Sequence, residues 1–287
     1  MDRAAELYAF LLKVASGSSP RVSPRAVHGL RTASRRLQSL FSAAGSESGH
    51  KLHKQLRKLR RQAGKVRDLD VQIAALKSLQ VPAIASEQKK LLRALQRRRR
   101  KSAEPLREFL GRHWPRLRKS LQAEQERQSS AAAQAPRGHR IQGASAAGEP
   151  LVEALAGFAA AAADHPLHSA EDLHAFRIAV KKARYAAELA TPDDEAAAAI
   201  AAFKRIQDAI GEWHDWALLA STAEEELGPP QRSALVAALN ERARRRLAPA
   251  RRIAARETRL LLEMHSAVSR TRRGPGRAAP VRAARAM

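Results

Sequence analysis

The chain has 287 residues, with 53 Lys and Arg against 28 Asp and Glu, a formal net charge of +25. At 44% apolar but only 4% aromatic, it can bury real cores, built from Leu, Ala, Ile and Val, and so strongly helix-forming a composition points to an all-α fold. It has no cysteine, which excludes disulfide scaffolds, thiol catalysis and Cys-ligated zinc or iron–sulfur centres, while so large a positive charge concentrates polyanions: phosphate chains, nucleic acid or acidic membrane.

In chain order, apolar residues at helical spacing place helices at about residues 2–16, 24–44, 49–80 and 86–127, then 149–163, 170–190, 194–224 and 230–265. Breakers such as Gly45-Ser46, Pro82, Pro166, Thr191-Pro192 and Gly228-Pro229-Pro230 fall between them. Pro105 and Pro115 lie inside the fourth helix and are expected to kink or split it. The stretch SSAAAQAPRGHRIQGASAAGEP, beginning at Ser129, has no apolar period and reads as a linker. The C-terminal stretch SRTRRGPGRAAPVRAARAM combines six Arg with no acid and two Pro, and reads as a disordered basic tail. The expected organisation is therefore a first repeat at 1–128, a linker at 129–148, a second repeat at 149–265 and a tail at 266–287. The N-terminal apolar stretch is too short for a signal peptide, and no run reaches the roughly 18 apolar residues of a membrane span, so the expected location is the cytoplasm.

The two halves match. VHGLRTASRRL from Val27 lies over LHAFRIAVKKA from Leu173, pairing His28 with His174, Arg31 with Arg177, Arg35 with Lys181 and Arg36 with Lys182. LRKLRRQAGKVRDLDV from Leu56 lies over FKRIQDAIGEWHDWAL from Phe203, pairing Arg57 with Lys204, Gly64 with Gly211, Arg67 with His214 and Asp68 with Asp215. The register slips by a single residue between the two motifs, which reads as an internal duplication.

On a helix, Val27, Leu30, Leu37, Leu40, Phe41 and Ala44 form an apolar stripe, and His28, Arg31 and Arg35 form a second stripe beside it. The second copy repeats this with His174, Arg177, Lys181 and Arg184 next to Leu173, Phe176 and Val180. Charges stacked about 5–6 Å apart suit a linear anion with a charge on every unit. The next helix adds Arg57, Arg60, Arg61 and Arg67 among eight cations and no acid between Lys51 and Arg67, a repulsive arrangement that an anion would relieve. The alternative is a solvated face whose stems snorkel over apolar surface. The clusters 89–101 and 242–259 show no register repeated between the halves. His28 and His174 either donate to phosphate oxygens or tie two helices together. Gly64 and Gly211 inside helices suggest a close crossing. Asp68 and Asp215 pair with a neighbouring cation or cap a helix, and Trp213 and Trp216 read as core in preference to base-stacking platforms. His50 and His53 have no carboxylate at helical spacing, and no cofactor or metal is expected.

These motifs, VHGLR…RR with GKVRDLDV and LHAFRIAVKKARY with IQDAIGEWHDW, resemble the CHAD family, the conserved histidine α-helical domain. The resemblance spans about residues 2–265. It implies two four-helix bundles related by a pseudo-two-fold axis, and a basic groove or pore, lined by both repeats, that binds inorganic polyphosphate, often on polyphosphate granules. The family's basic motif falls on His28, Arg31, Arg35 and Arg36, and on His174, Arg177, Lys181, Lys182 and Arg184; Gln38 departs from it where Arg184 stands in the second copy. Family members are often fused to a CYTH triphosphatase domain, whose Glu-x-Glu-x-Lys strand this sequence lacks. The expected function is thus non-catalytic polyphosphate binding. Two competitors remain: a nonspecific nucleic-acid binder, though the rows lack base-reading residues, and a metal-dependent phosphohydrolase using His214 and Asp215, although the first half has Arg67-Asp68 there and Arg cannot ligate a metal.

Overall fold

The computed structural model describes residues 22–43, 47–79, 84–134, 149–165, 167, 169–188, 190 and 193–273. Among them are seven helices and no strand: α1 (Pro24–Ala43), α2 (Glu47–Lys77), α3 (Ala85–Gln134), α4 (Glu149–Asp164), α5 (Ala170–Ala187), α6 (Asp194–Leu227) and α7 (Ala234–Arg273). The all-α expectation holds. The helix expected at 2–16 lies outside the described residues.

Local chemistry explains the helix ends. Pro24 occupies the first position of α1, and the Ser23 hydroxyl before it accepts the Ala26 N–H at 3.2 Å. At α5 a capping box closes both ways: Ser169 Oγ accepts the Asp172 N–H, and Asp172 Oδ2 accepts the Ser169 N–H, both at 3.0 Å. Asp193 accepts the Ala196 N–H at 2.7 Å to start α6. Gly228 ends α6 with φ +93°, its amide donating to the Glu224 carbonyl at 2.9 Å. The last helix begins later than the expected 230 because Ser233 caps it: Ser233 Oγ accepts the Val236 N–H at 3.2 Å. Glu87 of α3 supports the same end, its Oε2 accepting from Ser233 Oγ at 2.9 Å and from the Leu235 N–H at 2.8 Å.

Three expectations need correction. Pro105 and Pro115 do not split α3, which runs continuously through both; each costs the helix one N–H···O bond, and Ala103, Leu106, Phe109, Leu110 and Leu117 hold the segment in the core. Residues 129–134 belong to α3 rather than to the linker, and residues 266–273 belong to α7 rather than to the tail.

The chain forms two compact units that cut across the sequence halves: Met1–Gln142 with Gly211–Pro249, and Gly143–Ile210 with Ala250–Met287. The first unit has two apolar clusters. One joins α1, α2 and α3 through Val27, Leu30, Leu37, Leu56, Leu59 and Leu106, all at most 1% exposed. The other joins Leu76, Leu91 and Leu95 to Trp216, Leu219, Leu235 and Leu239. This second cluster explains the division: the apolar stripes of α2 and α3 run on past the first cluster, and α6 and α7 cover them. Trp213 and Trp216 are each 7% exposed, core residues as expected, with the Arg242 guanidinium 4.4 Å from the Trp216 ring.

The second unit is centred on Phe158, Phe176 and Phe203, with Phe158 at 5.7 Å from Phe176 and 5.2 Å from Phe203, ring to ring. Glu257 of α7, 1% exposed, lies between Arg205 at 2.8 Å and Arg256 at 2.6 Å. The hydrogen bond from Arg205 is the chief reason its carboxyl stays below the usual range despite burial. No helix among the described residues is long and apolar enough to cross a membrane.

Candidate anion-binding site

In the first unit, α1 and α2 pack side by side with their apolar faces inward, which leaves the His28–Arg31–Arg35 stripe of α1 along the edge it shares with α2. On α2, Arg57, Arg60, Gly64, Arg67 and Asp68 follow each other at steps of three, four, three and one, and so share the flank of that helix. Arg31 Nη1 donates to Asp68 Oδ1 at 3.3 Å, joining the two stripes. His28 stands with Arg31 and Arg67: partial desolvation of its ring, then the positive charges of Arg67 and Arg31, hold its pKa below the usual histidine value. His28, Arg57 and Arg61 are exposed, while Arg31, Arg35, Arg60 and Arg67 are half-buried. The side chain of Arg36 lies outside the described residues. The edge is therefore a set of partly ordered cations around a neutral imidazole, with one carboxylate, Asp68, inside it.

A close crossing at Gly64 is not what the glycine serves. A Cβ there would meet only Arg31 Nε, at 3.9 Å, an ordinary contact. What lies across Gly64 is the side chain of Arg31, not a backbone.

In the second unit, α5 repeats the stripe, with His174 and Lys182 exposed and Arg177 and Lys181 half-buried. Arg184 has partners on its own helix. Its side chain is 17% exposed, donates to Glu188 at 2.7 Å and stacks on the Tyr185 ring at 4.6 Å. The first-half counterpart explains the Gln38 departure: Gln38 is buried and its amide donates to the His53 carbonyl at 3.3 Å. Lys204 is exposed and pairs with Asp208 at 2.8 Å, and Gln207 and Asp208 stand where Arg60 and Arg61 stand in the first copy. His214 belongs to the first unit, half-buried with its ring 6.2 Å from that of Trp213. Among the described residues, no three His, Asp or Glu side chains converge as metal ligands do.

The CHAD domain family profile matches residues 11–224, about three-quarters of the chain. The chain belongs to the CHAD domain family. It is also similar to the crystal structure of the CHAD domain from the plant Ricinus communis, with 20% identity and a TM-score of 0.59, covering 92% of this chain and 89% of that one. That likeness shows the fold. No curated protein is similar enough to count as a relative.

Within this CHAD chain, reasoning from sequence missed which cations are neutralised internally. Arg184 carries its own signal, an acid four residues on; Arg31 does not, because its partner Asp68 is 37 residues away.

The state of His28 gives a pH prediction. A phosphate chain beside Arg31 and Arg67 cancels their field and raises the His28 pKa, so binding takes up a proton. Affinity is expected to rise as pH falls from about 7.5 to 6, up to roughly tenfold for each pH unit by which the ligand lifts that pKa, and His28→Gln is expected to flatten the profile in isothermal titrations. The same group acts oppositely on folding. With its folded pKa below the unfolded value near 6.5, it costs stability as pH drops from about 6.5 to the folded pKa.

Proposed function

We propose that this protein binds inorganic polyphosphate, without catalysis, along the basic stripes of α1/α2 and α5. The observation that supports it most is the meeting of His28, Arg31 and Arg67 on one edge of the first unit, flanked by the exposed Arg57 and Arg61. A helical row offers donors about 5–6 Å apart, and a flexible anhydride chain with a charge on every phosphate can settle on such a row without shape-specific recognition. The edge presents no apolar or base-reading side chain among the residues named. Charge-assisted hydrogen bonds from Arg are the strong ones for phosphate oxygens. Association with polyphosphate granules and a cytoplasmic setting follow from the same reading.

A competition titration tests it. Labelled long-chain polyphosphate bound to the full chain is challenged with heparin, single-stranded RNA and duplex DNA at near-physiological salt. Polyphosphate is expected to hold its place at equal phosphate concentration. Displacement by RNA or heparin at equal phosphate concentration would make the rows a general polyanion track.

A further inference from the structure

The outer face of α3 carries a second cationic surface that this function does not use. Between Glu87 and Glu104 the helix contains eight Lys and Arg and no acid. Two of these cations are neutralised: Arg98 by Glu225 at 3.1 Å and Glu226 at 2.6 Å, and Arg99 by Asp70 at 2.5 Å. The other six, Lys89, Lys90, Arg93, Arg97, Arg100 and Lys101, are exposed and have no ion pair among the described residues. The carboxylates near this segment are thus spent on the two cations facing neighbouring helices, and the outward six are left bare. Lys89, Arg93, Arg97 and Arg100 follow at steps of four, four and three, one straight stripe about 16 Å long at 1.5 Å per residue. The segment is held rigid behind them by buried Leu91, Ala94 and Leu95, by the Glu87 contacts to the start of α7, and by Arg99 Nη2 donating to the Val22 carbonyl at 2.7 Å.

The shape selects the ligand. A helix half-sunk in its domain is a convex ridge, about 10–12 Å across, and the major groove of B-form DNA, about 12 Å wide, admits such a ridge between two phosphate walls. The deep, narrow major groove of A-form RNA does not. A bilayer would engage apolar side chains too, and the exposed large apolar residues among those described are Ile178, Leu260 and Leu262, none of them on α3. We propose that the Lys89–Lys101 face of α3 binds the phosphate backbone of duplex DNA. The contacts proposed are to phosphate oxygens, which fix the helix on the duplex and carry no base information themselves.

The test compares the full chain with R93E/R97E/R100E, measuring anisotropy of a short mixed-sequence duplex from about 50 to 200 mM salt. R93E and R97E fall four residues from Lys89 and Lys101, where opposite charges favour the helix, whereas R100E falls four residues before Glu104, where like charges oppose it. R93Q/R97Q/R100Q carries the same test if the first variant does not fold. Expected are at least a tenfold loss of DNA affinity and a salt slope shallower by about 3, near 0.9 for each phosphate that is no longer neutralised, with polyphosphate affinity unchanged. An unchanged slope overturns the proposal, as does an equal loss of binding to polyphosphate or to vesicles of anionic lipid. Because R31E/R35E should leave DNA binding intact, failure of this site and failure of the polyphosphate reading are separable.

Discussion

A chain carrying R31E, R35E, R177E and K181E is expected to lose polyphosphate binding at physiological salt, by at least a thousandfold, while keeping its helix content. Each of the four lies in a stripe beside the apolar face of its helix, and each is only half-buried, so a carboxylate there stays hydrated. The packing cost is small: reversing Arg31 breaks a pair whose side chains are 30% and 52% exposed, and such pairs contribute about 0–1 kcal/mol. The binding cost is large. A hydrogen bond to a charged group contributes about 1.5–3 kcal/mol, each 1.4 kcal/mol or so is tenfold in affinity, and the reversal adds repulsion to the loss. A control removes total charge as the explanation: reversing exposed Arg112, Arg116, Arg118 and Lys119 on α3 changes the net charge equally and should leave most of the affinity. The readouts are calorimetric titration and circular dichroism. Unchanged affinity in a folded quadruple variant would sink the assignment of these rows.

The second large effect concerns stability. Asp70→Ala is expected to cost about 3 kcal/mol, because it strands a guanidinium inside the first unit. Asp70 is 3% exposed and Arg99 19%, and the same guanidinium binds the Val22 carbonyl at the entry to α1. One pair thus ties α2, α3 and the start of α1, the helix that carries His28 and Arg31. At about 2–4 °C per kcal/mol for a domain of this size, the melting temperature should fall by roughly 6–12 °C. Asp70→Leu with Arg99→Met should recover most of it, since apolar replacements of a buried pair are often neutral. A single variant that melts like the wild type would show that the pair contributes no net stability.

Much of this was legible in the sequence for a local reason. The separation of His28, Arg31 and Arg35 from Val27, Leu30 and Leu37 is a matter of 3.6-residue periodicity, and the core places of Trp213 and Trp216 follow from the same pattern. What was not legible is non-local. Nothing near Asp70 or Asp68 in the chain distinguishes the partner of Arg99 from that of Arg31. The role of Gln38 depends on a carbonyl of another helix, and its buried place looked like a gap in a basic motif. The continuity of α3 through Pro105 and Pro115 depends on the buried residues around them, which a helix-breaking rule does not weigh. Cations alike in sequence, such as Arg97, Arg98 and Arg99, differ in whether a carboxylate from elsewhere reaches them.

The discontinuity of the first unit bears on how the chain is made. Residues 211–249 complete a unit whose earlier part ends at Gln142, so during synthesis Leu76, Leu91 and Leu95 wait for Trp216, Leu219 and Leu235 to leave the ribosome. Leu95 and Trp216 are 121 residues apart, so at about 5–20 residues per second that interval is at least roughly 6–24 seconds, during which a nascent chain shows a sticky apolar strip to its neighbours.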